Sequence, residues 1–184
     1  MVALQINATQ ATGLAAFFTA CVLAAFAAKA RRGRDRQIWA VLALVHAFLW
    51  LDVLVSARHT LHAAIDDYLV FLGLYGVRRI LQAFLLLALA MMIVGTLVWI
   101  WRTPVYAAIV RARARTAAAA TLAVAAVFAI ETISLHQIDA FLYAHVGPVL
   151  VIGWLWTSTA LVVAIAAAQS MRTTATPPSL ASSR

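Results

Sequence analysis

Five long apolar runs constrain this chain more than any other feature of its sequence. An α-helix rises 1.5 Å per residue, so bilayer hydrocarbon about 30 Å thick needs about 20 apolar residues per crossing. Five segments approach that length and leave few residues for a soluble domain. The predicted spans are residues 13–28, 38–57, 77–101, 117–138 and 148–169. We therefore predict an all-α polytopic bundle, with residues 1–172 forming one transmembrane domain and residues 173–184 a disordered cytoplasmic tail.

The composition supports a membrane protein and indicates its source. Hydrophobic residues make up 65% of the chain and charged residues 11%, whereas soluble domains have about 45–50% and about 25%. One lysine against thirteen arginines, with many alanines, is typical of a GC-rich bacterial genome. The single cysteine, Cys21, lies inside an apolar run, which excludes disulfides and thiolate metal sites. We predict a multi-pass protein of the bacterial inner (cytoplasmic) membrane.

The basic residues predict the orientation of the spans. They follow the first apolar run instead of preceding it, so this run is expected to be a retained helix and not a cleaved signal peptide. With the N-terminus outside and the C-terminus in the cytoplasm, eleven basic residues lie inside and three outside, as the positive-inside rule requires. The inner residues are Lys29, Arg31, Arg32, Arg34, Arg36, Arg102, Arg111, Arg113, Arg115, Arg172 and Arg184; the outer ones are Arg58, Arg78 and Arg79. Because the net charge of +8 flanks the spans in this way, we predict lipid and no nucleic acid as the partner of these residues.

Polar residues gather at the predicted outer ends of three spans. Those on the fourth span lie within an arc of about 140° at 100° per residue: Glu131, Thr132, His136 and Asp139. Those on the second lie within about 120° if its helix continues past residue 57: Asp52, Ser56, His59, His62 and Asp66. The third offers Tyr75, Arg78, Arg79 and Gln82. Lipid cannot satisfy such groups, so we expect them to face one another in a pocket. Residues 58–76 are either a helix extension or a surface segment.

A metal site is the first hypothesis for this pocket. His59, His62 and Asp66 have spacings of three and four residues, which puts three ligands on one helix face. His136, Asp139 and Glu131 could supply ligands from a second helix. Imidazole combined with carboxylate suits zinc, copper or non-haem iron. The spacing matches neither a zinc-protease nor a ferritin-like motif.

Two other hypotheses stay open. The pocket could hold a quinone or relay protons, and His46 could be an axial haem ligand, although a buried histidine bonded across helices is the favoured explanation of His46. Alternatively, the protein is purely structural, and Glu131 and Asp52 pair with Arg58, Arg78 or Arg79 to set the helix register. We predict a small subunit or accessory protein of a membrane complex, associated with other subunits or with its own copies, whose pocket binds a metal or redox cofactor. Whether it is an enzyme is left open.

Overall fold

The fold is almost entirely helical. The computed structural model describes residues 6–102, 108–133 and 136–172, so the predicted tail at 173–184 lies outside the described residues. The helices are α1 (Ala8–Lys29), α2 (Gly33–Val55), α3 (Ala57–Phe71), α4 (Arg78–Arg102), α5 (Ala108–Ile133), α6 (His136–Leu142) and α7 (Val151–Arg172). Five of them, α1, α2, α4, α5 and α7, are long and apolar enough to cross a membrane. The predicted all-α bundle with five candidate spans is confirmed.

Local sequence signals explain where the first two helices begin and end. Asn7 caps α1: the Gln10 backbone N–H donates to its Oδ1 at 2.8 Å, and the Asn7 N–H donates to the Gln10 Oε1 at 3.2 Å. This reciprocal capping box starts α1 at Ala8, before the predicted residue 13. Ser56 ends α2, because its φ of 54° and ψ of 38° lie in the left-handed region. Of the two alternatives for residues 58–76, this turn excludes a continuous extension of α2, and α3 is a separate helix.

Other predicted boundaries also move. Helix α5 begins at Ala108, nine residues before the predicted residue 117, and it is described to Ile133 instead of 138. The predicted fifth span begins at residue 148, but a hairpin of β1 (His145–Val146) and β2 (Val149–Leu150) precedes α7. Gly147 has a φ of 68° in its two-residue turn, a conformation that glycine adopts without steric cost.

Hydrogen bonds between helices fix the direction in which each one runs. The Leu150 N–H, just before α7, donates to Thr9 Oγ1 in the first turn of α1 at 3.0 Å. The Gln82 side chain near the start of α4 donates to the carbonyl of Ile133 at the end of α5. At the opposite end, Arg113 near the start of α5 donates to the Gln169 carbonyl near the end of α7.

Two ends of the bundle follow from these bonds. We call the first the hairpin end; it holds the starts of α1, α4 and α7 and the ends of α2 and α5. We call the other the arginine end, because Arg31, Arg34, Arg36, Arg102, Arg113, Arg115 and Arg172 lie there. The five long helices thus alternate in direction along the chain, as repeated crossings of a bilayer require.

Helices α1 and α7 carry the core. They pack on each other, and α2 and α5 pack against α1 and α7 respectively. Phe17, Phe128 and Trp156 form an aromatic cluster with ring centroids 5.3–6.1 Å apart. Small residues let the backbones approach closely: a Cβ added to Gly13 would lie 2.7 Å from Trp156 Cε3, and one added to Gly153 would lie 2.8 Å from Thr9 Cγ2.

Helix α4 lies at the edge of the bundle. It packs mainly against α5, and none of the described side chains in its apolar segment, Ile80–Val98, is buried. Large apolar residues such as Phe84 and Met91 are well exposed on it. The first turns of α4 lie beside the end of α5, which places Gln82 of the predicted pocket against that helix end.

Candidate functional site at the hairpin end

Glu131 is the buried acid around which this end is built. It lies two residues before the end of α5 and is 6% exposed. The Tyr143 hydroxyl, just after α6, donates to its Oε1 at 2.5 Å. A buried carboxylate needs such donors, because removing it from water without a partner is costly. The bond also ties the segment after α6 back to α5.

Asp52 is the second buried acid, on the neighbouring helix. It lies three residues before the end of α2 and is 7% exposed. Since α2 packs against α5 and both helices end here, Asp52 and Glu131 lie at the same end of the bundle. Both acids lie within the last described turn of their helices, closer to the helix ends than the predicted boundaries at 57 and 138 put them. The predicted polar stripe from Asp52 into α3 is interrupted at Ser56.

Gln82 connects a third helix to this end. Its side-chain Nε2 donates to the Ile133 carbonyl at 3.0 Å. Ile133 closes α5, and the last four carbonyls of a helix have no partner within it. Gln82 thus satisfies one of these carbonyls and holds the start of α4 against the end of α5. Helices α2 and α4 thus each pack against α5, and these are the three helices from which the pocket was predicted. The pocket itself stays a prediction.

The proposed metal ligands divide into two groups. Asp139 on α6 and Glu131 are described, and within the described part of the chain no group of three histidine, cysteine or acidic side chains could hold a metal ion. The side chains of His59, His62, Asp66 and His136 lie outside the described residues, as do those of Arg58, Tyr75, Arg78 and Arg79. By backbone, His59, His62 and Asp66 belong to α3, which packs against α5, and His136 begins α6. The metal set stays a prediction.

His46 lies apart from the hairpin end, inside the core. It is completely buried, its Nδ1–H donates to the Leu42 carbonyl at 2.9 Å, and its ring centroid lies 6.0 Å from that of Phe17. Its Nε2 has no hydrogen-bond partner among the described residues. An iron ligated by Nε2 would require the packed neighbours to move, so the geometry suits a core histidine better than a ligand.

Two residues at this end were not predicted from the sequence. The Tyr143 hydroxyl donates a hydrogen bond to Glu131, and the buried Thr9 accepts one from the Leu150 N–H. Tyr143 lies twelve residues after Glu131, so only a chain reversal between them could have suggested the pair. Thr9 precedes the first predicted span, and no local pattern marks it.

Comparison with known proteins does not add a family to these observations. No family model, no curated protein and no solved structure matches this chain.

Proposed function

We propose that this chain is a multi-pass protein of the bacterial inner membrane, with its N-terminus outside and its C-terminus in the cytoplasm. In this proposal it is a subunit or accessory protein of a membrane complex, and the polar site at its hairpin end binds a metal or a redox cofactor. The observation that carries the site is Glu131: an acid buried near the end of an apolar helix is costly and, in a membrane, usually functional.

The surface of the bundle supports the membrane location. Leu44 is 71% exposed, Phe48 69% and Phe84 67%, all within the apolar segments of long helices. Contact between such large apolar side chains and water is unfavourable, whereas contact with lipid chains is not. The arginine end supports the orientation, because basic residues favour the cytoplasmic side. A reporter fused after Arg172 tests it: a green fluorescent protein should fluoresce, and an alkaline phosphatase should be inactive. Active phosphatase would overturn the orientation.

The ligand is tested on the full chain purified in mild detergent without chelator. We expect a stoichiometric transition metal by elemental analysis, or the visible absorbance of a redox cofactor. Glu131→Gln should remove the ligand while the helical content is retained. Asp67→Asn is the matched control, because Asp67 is an exposed acid near the same end and is not among the proposed ligands. A wild-type protein with no metal, no absorbance and no quinone on solvent extraction would overturn the binding proposal.

A structural role is the second candidate, and the hydrogen bonds of this end favour it. The bond from Tyr143 to Glu131 joins the segment after α6 to α5, and the bond from Gln82 to Ile133 joins α4 to α5, as register-setting contacts do. If their role is structural, Glu131→Gln and Tyr143→Phe should each lower the stability in detergent. The double variant should lose less than the sum, with a coupling of about 0.6–1.7 kcal/mol. Strictly additive losses would contradict a structural role for this pair.

A further inference from the structure

A groove between α1 and α2 lies at the arginine end, away from the polar site. It has a volume of about 390 Å³ and faces outward from the bundle. Its walls are apolar and mostly small: Cys21, Ala25 and Ala28 from α1, and Ala40, Ala43, Leu44 and Ala47 from α2. Lys29 and Arg36 complete its lining, and both are exposed.

The two cations lie at the mouth of this groove. Lys29 is the last residue of α1 and Arg36 lies in the first turn of α2, so both are at the end where the two helices join. The Lys29 Nζ lies 5.9 Å from the centroid of the Phe26 ring. Neither cation forms an ion pair with an acid in the described part of the chain. A negatively charged group at the mouth would therefore meet two positive charges.

The depth of the groove matches one leaflet of a bilayer. From Lys29 to Cys21 the α1 wall extends about 12 Å, and from Arg36 to Ala47 the α2 wall extends about 16 Å, at 1.5 Å per residue. Half of the bilayer hydrocarbon is about 15 Å thick. An acyl chain whose headgroup lies at Lys29 and Arg36 would thus run along the apolar walls to their ends.

We infer that this groove binds an anionic phospholipid, with the phosphate at Lys29 and Arg36 and one acyl chain along the alanines. Basic pockets between membrane helices bind anionic headgroups by the same chemistry. The inference rests on the proposed membrane location but not on the ligand of the polar site. It also does not depend on which side of the membrane the arginine end faces, because the two cations share one interface in either orientation.

Native mass spectrometry of the full chain in mild detergent tests this site. Dioleoyl phosphatidylglycerol and dioleoyl phosphatidylcholine are added separately, and the fraction of protein carrying one lipid is measured. We expect a preference for phosphatidylglycerol. Each cation near an anionic surface contributes about fivefold to binding, so Lys29→Gln combined with Arg36→Gln should remove most of the preference. Arg34→Gln is the matched control: it removes a charge from the same turn but not from the lining.

A second variant tests the apolar part without changing charge. Ala40→Leu should fill the groove and weaken phosphatidylglycerol binding, while Ala123→Leu, on an exposed position of α5, should not. Equal binding of the two lipids, or equal losses in Arg34→Gln and the double variant, would overturn the site. A dimer that Ala40→Leu dissociates would identify a second copy as the occupant and would also overturn it. Failure of the metal and cofactor assay would leave these results unchanged. Absence of the chain from the membrane fraction of the cell would overturn both proposals.

Discussion

Replacing Gly13 by alanine tests the close approach of α1 and α7. The added Cβ would lie 2.7 Å from Trp156 Cε3, closer than real Cβ atoms come, and 3.2 Å from Cζ3, closer than most. The indole cannot easily retreat, because it is buried between Phe17 and Phe128. Overpacking of this kind costs about 1–3 kcal/mol. Alanine also gains about 1 kcal/mol over glycine in a helix interior, which offsets part of the loss.

Gly95→Ala separates these two effects. Gly95 lies inside α4, and nothing is within 4 Å of its added Cβ, so only the gain in helix propensity applies. The difference between the two variants therefore isolates the packing cost, and we expect Gly13→Ala to be less stable than Gly95→Ala by about 1–3 kcal/mol. Reversible unfolding in mixed micelles, followed by circular dichroism, measures both. Equal stabilities would refute the packing of α1 against α7 at Trp156.

The remaining predictions concern three polar side chains and use the same unfolding assay. His46→Leu should leave the stability unchanged or raise it by about 1 kcal/mol, because a buried Nε2 without a partner is costly. A loss above about 2 kcal/mol would contradict this account of Nε2. Gln82→Leu should cost about 0.6 kcal/mol, the average for hydrogen bonds between membrane helices; no loss would mean that α4 is held by apolar contacts alone. Arg31→Gln should cost about 1 kcal/mol, because Arg31 donates to the Ser170 carbonyl and Oγ in the last turn of α7. Arg34→Gln, on an exposed position, should cost nothing measurable.

The helical framework was predictable because its signal is local. The length of an apolar run and the charges beside it are properties of neighbouring residues, so the number and approximate positions of the long helices follow from counting. Boundaries were less accurate where a single residue decides them. Ser56 ends α2 by adopting a positive φ, and no sequence rule singles out a serine for that conformation.

The site was only partly predictable because its contacts are not local. Asp52 and Glu131 lie closer to their helix ends than the predicted boundaries at 57 and 138 put them, but their location at one end of the bundle followed from the alternation of the spans. The partner of Glu131 did not, since Tyr143 reaches it only after α6 and the chain reversal that follows α5. The role of Gln82 was likewise predicted only in part. Its helix face was predicted, but its acceptor is a backbone carbonyl, and because every residue has one, the sequence does not indicate which carbonyl accepts.

The arginine end shows why counting charges cannot assign their roles. Arg31 donates to the Ser170 carbonyl and Oγ, and Arg113 donates to the Gln169 carbonyl, so both satisfy acceptors in the last turn of α7. Arg34 is exposed and makes no such bond in the described part of the chain. All three count equally towards the positive-inside rule, yet only two of them also hold the bundle together. Removing Arg34 should therefore affect orientation alone, whereas removing Arg31 should affect orientation and stability, and the two effects can be separated by measuring both in each variant.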